Sequence, residues 1–202
     1  MSSKLKLWLL LIAMGTVSLA RAQGPVVTGI APVIEGGIGY SYTSANVPSL
    51  GALKMQGIVA SASKDLSAHL GVKLQVGYSR SFDAFQTGRT ANLITYLGGP
   101  VLYPIRRSKF DVHAQVLVGG AREDGVNFES DGTLVRGWVN HFALAGGVGF
   151  QVRISPAISV RPEVEYLRTS FFNSNVGIQG QPNLRTSLSL IYTFDAVRQR
   201  RY

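Results

Sequence analysis

Apolar and polar residues alternate with a period of two along most of this chain. In Gly71-Val-Lys-Leu-Gln-Val-Gly-Tyr-Ser79, Val72, Leu74, Val76 and Tyr78 share one parity, and Lys73, Gln75, Gly77 and Ser79 the other. From Phe110 to Gly120, Val112, Ala114, Val116 and Val118 oppose His113, Gln115, Leu117 and Gly119. The stretches 140–153 and 158–167 repeat the pattern. Successive side chains of a strand point to opposite faces, so this alternation predicts strands with one apolar face. Counting the runs predicts eight strands at 33–43, 52–63, 70–81, 92–103, 110–121, 140–153, 158–169 and 184–194. Short connections at 63–69, 104–109 and 154–157 alternate with longer ones at 44–51, 82–91, 122–139 and 170–183. Two places depart from the pattern. Residues 90–103 are apolar on both parities around Gly98-Gly99-Pro100, and Pro162 interrupts the seventh run. Proline brings no N–H to a ladder, so a bulge or kink is expected at each.

The last run, Leu188-Ser-Leu-Ile-Tyr-Thr-Phe194, puts Leu188, Leu190, Tyr192 and Phe194 on one face and ends on Tyr-x-Phe. That is the expected form of the closing strand of a transmembrane β-barrel. The other end of the chain agrees with an exported protein. Lys4 and Lys6 precede an apolar run from Leu7 to Met14, and Ala20-Arg21-Ala22 supplies a small-x-small site. This reads as a signal peptide, residues 1–22, cleaved between Ala22 and Gln23. The apolar run is shorter than the ~20 residues a spanning helix needs. No cysteine lies near the cleavage site to carry a lipid, and none occurs anywhere in the chain, so no disulfide stabilises it.

The pattern permits two barrels, a membrane barrel or an inside-out, lipocalin-like soluble one with an apolar ligand cavity. Composition favours the first: 46% of residues are hydrophobic, only 15% are charged, and 23 are glycine. The polar parity is rich in Gly, Ala and Ser, which suits the narrow, filled interior of eight strands. With the termini on the periplasmic side, Tyr40, Tyr42, Tyr78, Phe142 and Tyr166 fall near the long-loop ends. Tyr103, Phe110, Phe150, Tyr192 and Phe194 fall near the short turns, giving two aromatic belts. In hydrocarbon every backbone polar group needs an internal partner, and a sheet provides that only by closing. The expectation is all-β: an eight-stranded antiparallel up-and-down barrel over 23–194, followed by a short basic tail at 195–202.

Val33-Ile-Glu-Gly-Gly-Ile-Gly-Tyr40, Tyr96-Leu-Gly-Gly-Pro100, Val118-Gly-Gly-Ala-Arg122, Ala145-Gly-Gly-Val-Gly-Phe150 and Leu188 to Phe194 together resemble the bacterial outer-membrane β-barrel domain proteins. That group includes the small eight-stranded barrel of outer-membrane protein A. The resemblance implies an integral protein of the bacterial outer membrane, in contact with its lipid and lipopolysaccharide. It also implies insertion by the barrel-assembly machinery, which would read Tyr192 and Phe194. Two departures stand out. Residues 195–202 follow the closing aromatic, and they are too few for the peptidoglycan-binding domain found after the barrel in some relatives.

Candidate chemistry is sparse. His69 lies in a turn, His113 on the polar parity and His141 at a predicted strand start, with no His-x-Ser pair among them. No catalytic residue, metal site or cofactor is expected. Glu123, Asp124, Glu129 and Asp131 lack calcium-loop spacing. Removing the leader leaves 17 basic residues (20 less Lys4, Lys6 and Arg21) against 11 acidic, a net +6, but the cations are scattered and no nucleic-acid role follows. By parity Glu35, Lys73, Arg161, Glu163 and Glu165 point inward, joined by Gln75, Gln115 and Gln151. Buried charge requires a partner, so Lys73 and Arg161 are expected to meet the glutamates and plug the lumen. The expected role of this monomeric barrel is structural or loop-mediated. A small-conductance pore with a charged constriction is the alternative.

Overall fold

The computed structural model describes residues 33–47, 51–84, 90–128, 134–169 and 181–194. They form eight strands: β1 (Ile34–Val47), β2 (Gly51–Asp65), β3 (Leu70–Ser81), β4 (Ala91–Arg106), β5 (Phe110–Phe128), β6 (Leu134–Arg153), β7 (Ile158–Thr169) and β8 (Gln181–Thr193). Each pairs antiparallel with its sequence neighbours, and β8 returns to β1, so the sheet closes as an up-and-down barrel. The signal peptide with Ala22 and Gln23, the basic tail 195–202, and the loop segments 85–89, 129–133 and 170–180 lie outside the described residues.

The registers fix how steeply the strands lean. Stepping from Gly36 through Ala62, Leu74, Gly98, Val118, Leu144 and Arg168 to Pro182 leads back to β1 about ten residues above the start. Strong tilt follows, while the small number of strands keeps the interior narrow enough for side chains to fill.

The alternation sorts side chains as expected. Val72, Leu74, Val76, Val116, Val118, Val148, Leu188 and Leu190 all point outward, Leu74 with 67% of its surface exposed. The buried set is mostly polar or charged: Lys73, Gln75, Gln115, Gln151, Arg161, Glu163, Glu165 and Arg185 are all 4% exposed or less. An apolar exterior around a polar interior is the reverse of a water-soluble barrel, and suits a hydrocarbon solvent.

Four expectations need correction. Tyr103 does not join an outer belt; it is 3% exposed and faces the lumen, because the odd positions of β4 point inward. Gly98-Gly99-Pro100 causes no register shift. The β4–β5 partners are interrupted there but resume in the same register at Val101, and the shift falls between Leu102 and Ile105, around Pro104. At Pro162 the β6–β7 partners lapse between Gly149/Glu163 and Val152/Val160 without any shift, so the missing N–H removes ladder bonds but inserts no residue. The long connection expected at 122–139 is mostly strand. β5 and β6 pair out to Phe128 and Leu134, which also puts His141 inside β6.

Candidate functional site: the filled lumen

Inward-facing residues of β1, β3, β4, β5, β6, β7 and β8 form two hydrogen-bonded groups, one around Glu163 and Glu165 and the other around Glu35. Lys73 Nζ donates to Glu163 Oε1 at 2.6 Å and to Gln115 Oε1 at 3.0 Å. His113 Nε2 reaches the same Glu163 oxygen at 2.8 Å; a carboxylate only accepts, so Nε2 carries the hydrogen. Gln115 Nε2 donates to Glu165 Oε1 at 2.7 Å, and Gln75 Nε2 to Glu165 Oε2 at 3.4 Å. Arg185 donates from Nε to Glu165 at 2.6 Å and from Nη1 to Thr95 Oγ1 at 2.9 Å. Arg161 grips both Glu35 and Gln151, and Gln151 Nε2 closes that triangle on Glu35 Oε1 at 3.0 Å.

The structure thus brings Glu35, Lys73, Arg161, Glu163 and Glu165 into one lumen cluster. It pairs Lys73 with Glu163 and Arg161 with Glu35, while Glu165 pairs with Arg185. Arg185 was not among the residues singled out from the sequence. Its signal was available, since it shares the inward parity of Ser187 and Ser189 on β8. Three cations face three carboxylates, so the charges balance without an ion from outside. Such burial is tolerable only because each charge is both paired and hydrogen-bonded.

Two further layers complete the filling. Toward the short turns, Arg106 clasps Asp65 through two contacts of 2.8 Å while its guanidinium lies 3.8 Å from the centre of the Tyr103 ring. Arg153 pairs with Asp111 at the same end. Toward the long loops, the interior turns apolar: Leu53, Met55, Leu93, Leu97, Leu117 and Leu167 pack with Ala45, Ala91, Ala121, Ala143 and Ala145. The sequence reading, centred on Gly, Ala and Ser, missed this layer, although every member has inward parity.

The arrangement offers charge neutralisation and tight filling. His113 is bound to Glu163 and His69 to the Tyr103 carbonyl, so neither pairs with a hydroxyl nucleophile. Among the described residues no group of His, Asp or Glu is placed to hold a metal ion. The closing signature is also assembled. Leu188, Leu190 and Tyr192 pair with Tyr40, Ile38 and Gly36 of β1 across the seam, and the Phe194 ring meets that of Tyr192 edge-on at 5.1 Å.

Comparison with known proteins places this geometry. Among solved structures, the chain is similar to Neisserial surface protein A (TM-score 0.60, 12% identity, covering 81% of this chain and 97% of that one). It is likewise similar to Ail, the attachment invasion locus protein of Yersinia pestis (0.56, 15%, 82% and 100%). The outer membrane protein OprG from Pseudomonas aeruginosa is also similar (0.51, 12%, 81% and 95%). At such identities the likeness is one of fold. No curated protein sequence matches the chain. The family model for the outer membrane protein beta-barrel domain matches residues 9–194. With its closed eight-stranded sheet, apolar exterior and filled interior, this chain belongs to the outer membrane protein β-barrel domain family.

Proposed function

We propose that this outer-membrane barrel is a non-enzymatic, plugged envelope protein whose work is done by its wall and loops rather than by passage through its lumen. One observation carries the reading: Arg161, Lys73 and Arg185 are each locked to a glutamate inside the barrel, with 3% of their surface or less exposed. The short turns at 66–69, 107–109 and 154–157, together with both chain ends, face the periplasm. The barrel works as a monomer in lipid and lipopolysaccharide, inserted by machinery that reads Tyr192 and Phe194. Planar-bilayer recording tests the plug. The unmodified protein is expected to conduct near zero, and Arg161→Ala, which frees Glu35 and Gln151, to conduct measurably. Steady, sizeable conductance in the unmodified protein overturns the plug in favour of a small pore with a charged constriction.

A second reading, loop-mediated interaction, rests on the β5–β6 hairpin. Its strands have 19 and 20 residues, against about 9–11 needed to span a bilayer. The paired excess lifts a stiff hairpin above the rim on the long-loop side, a suitable platform for a partner at the cell surface. Excising residues 126–135 should leave barrel folding intact; loss of cell-surface binding in that variant supports this reading, and unchanged binding removes it.

A further inference from the structure

The outer wall carries a depression that the lumen network does not require. Ala114, Val148, Val164 and Thr186 are successive partners across β5, β6, β7 and β8. Bulkier rows flank these short side chains, with Phe150 and Leu188 on the turn side and Tyr166 and Leu184 on the loop side. On the turn side of this row lies a groove of about 840 Å³, lined by Phe110, Val112, Val148, Phe150, Pro162 and Val164, with Lys109 of the 107–109 turn also lining it.

The charges around that turn are unequal. Arg106 is taken by Asp65 and Arg153 by Asp111. Lys109 and its turn neighbour Arg107 are exposed, and among the described residues neither forms an ion pair with a carboxylate. An apolar groove ending at the free cation Lys109, with Arg107 two residues away in the same turn, fits an amphiphile with an anionic head. An extended peptide fits poorly, because its unpaired backbone groups would find no hydrogen-bond partners in hydrocarbon.

We infer that the groove holds an acyl chain of an anionic phospholipid of the periplasmic leaflet, with its phosphate at Lys109 and Arg107. The choice of leaflet, and so of phospholipid over lipopolysaccharide, rests on the periplasmic placement of the short turns proposed above. A lysine stem laid along apolar surface keeps its ammonium at headgroup level, where each basic residue favours an anionic lipid roughly fivefold.

Native mass spectrometry of the detergent-purified full chain, titrated with phosphatidylglycerol and with phosphatidylethanolamine, tests this. The unmodified protein should retain phosphatidylglycerol at least about fivefold more tightly. Arg107→Glu with Lys109→Glu should abolish that preference, and Val148→Trp, which fills the groove from the lipid side, should lower occupancy by both lipids. Unchanged preference in the double variant, unchanged occupancy in Val148→Trp, tighter binding of lipopolysaccharide, or a dimer that Val148→Trp dissolves would each overturn the assignment. Folding of each variant is checked by heat-modifiable gel mobility; should Val148→Trp not fold, Val148→Phe replaces it. Labelling Ser108→Cys in intact cells separates the premises. Reaction only with a membrane-permeant reagent supports the leaflet, whereas reaction from outside overturns the leaflet while leaving headgroup preference to judge the groove.

Discussion

The ring of Phe194 covers Gly36 across the seam where the last strand meets the first. Its Cε2 stands 3.1 Å from the point where a side chain on Gly36 would begin, and the Phe194 N–H donates to the Ile34 carbonyl at 3.0 Å. Any larger residue at 36 would displace the ring; any smaller one at 194 would bare the glycine. Phe194→Ala is therefore expected to cut the amount of membrane-inserted protein sharply. Deleting Asp195–Tyr202 is expected to change it little. Outer-membrane fractionation with heat-modifiable gel mobility reads both, and the reverse result would make Tyr202 the working terminal aromatic.

Depth should be visible in the wall. Val116 lies mid-strand and points outward, whereas Ile105, also outward, stands beside the 107–109 turn. Val116→Arg is expected to destabilise the folded barrel by about 2–4 kcal/mol and Ile105→Arg by about 0–1 kcal/mol, measured by denaturant unfolding in bilayers. Equal costs would contradict the assigned heights.

Glu163 accepts from both Lys73 and His113 at one oxygen, so its charge serves two partners. Replacing it strands the buried ammonium of Lys73. Glu163→Gln is expected to cost about 3–5 kcal/mol, and Lys73→Met combined with Glu163→Gln distinctly less than the sum of the two single changes. A double-mutant cycle on unfolding free energy gives the coupling, and strict additivity would mean that the pair does not interact.

The apolar layer beneath the loops should behave like a protein core rather than a channel lining. Leu117 is fully buried within it. Leu117→Ala is expected to cost about 2–5 kcal/mol through lost contacts and a cavity. A near-neutral result would indicate a layer open to water.

The strands and their faces were legible because lipid outside and filled lumen inside impose opposite polarity on alternate residues. β3 and β7 match the predicted boundaries at 70–81 and 158–169. Legibility failed where both faces have the same polarity. In β4, Leu93 and Leu97 face an apolar stretch of lumen and Val101 is also buried inward, while Ile94 and Tyr96 face outward, so alternation vanishes and Tyr103 falls on the wrong side in the sequence reading. It failed again above the rim, where Arg122, Glu123 and Asp124 resemble a loop in composition although β5 continues through them. Within the lumen, parity located Glu35, Lys73, Arg161, Glu163 and Glu165. The partner of each depended on how far the strands are staggered, which no local pattern encodes. Glu165 meets Arg185 for that reason.

That stagger also limits how such a chain can change in length. A residue inserted within one strand would turn every later side chain of that strand to the opposite face, and its registers with both neighbours would no longer meet around the ring. The Leu102/Ile105 irregularity shows the available escape, an extra residue pushed out beside a turn. Insertions and deletions are therefore expected in the connections at the two rims or as bulges at strand ends beside a turn, and natural variants of this barrel are expected to align through the middle of all eight strands without gaps.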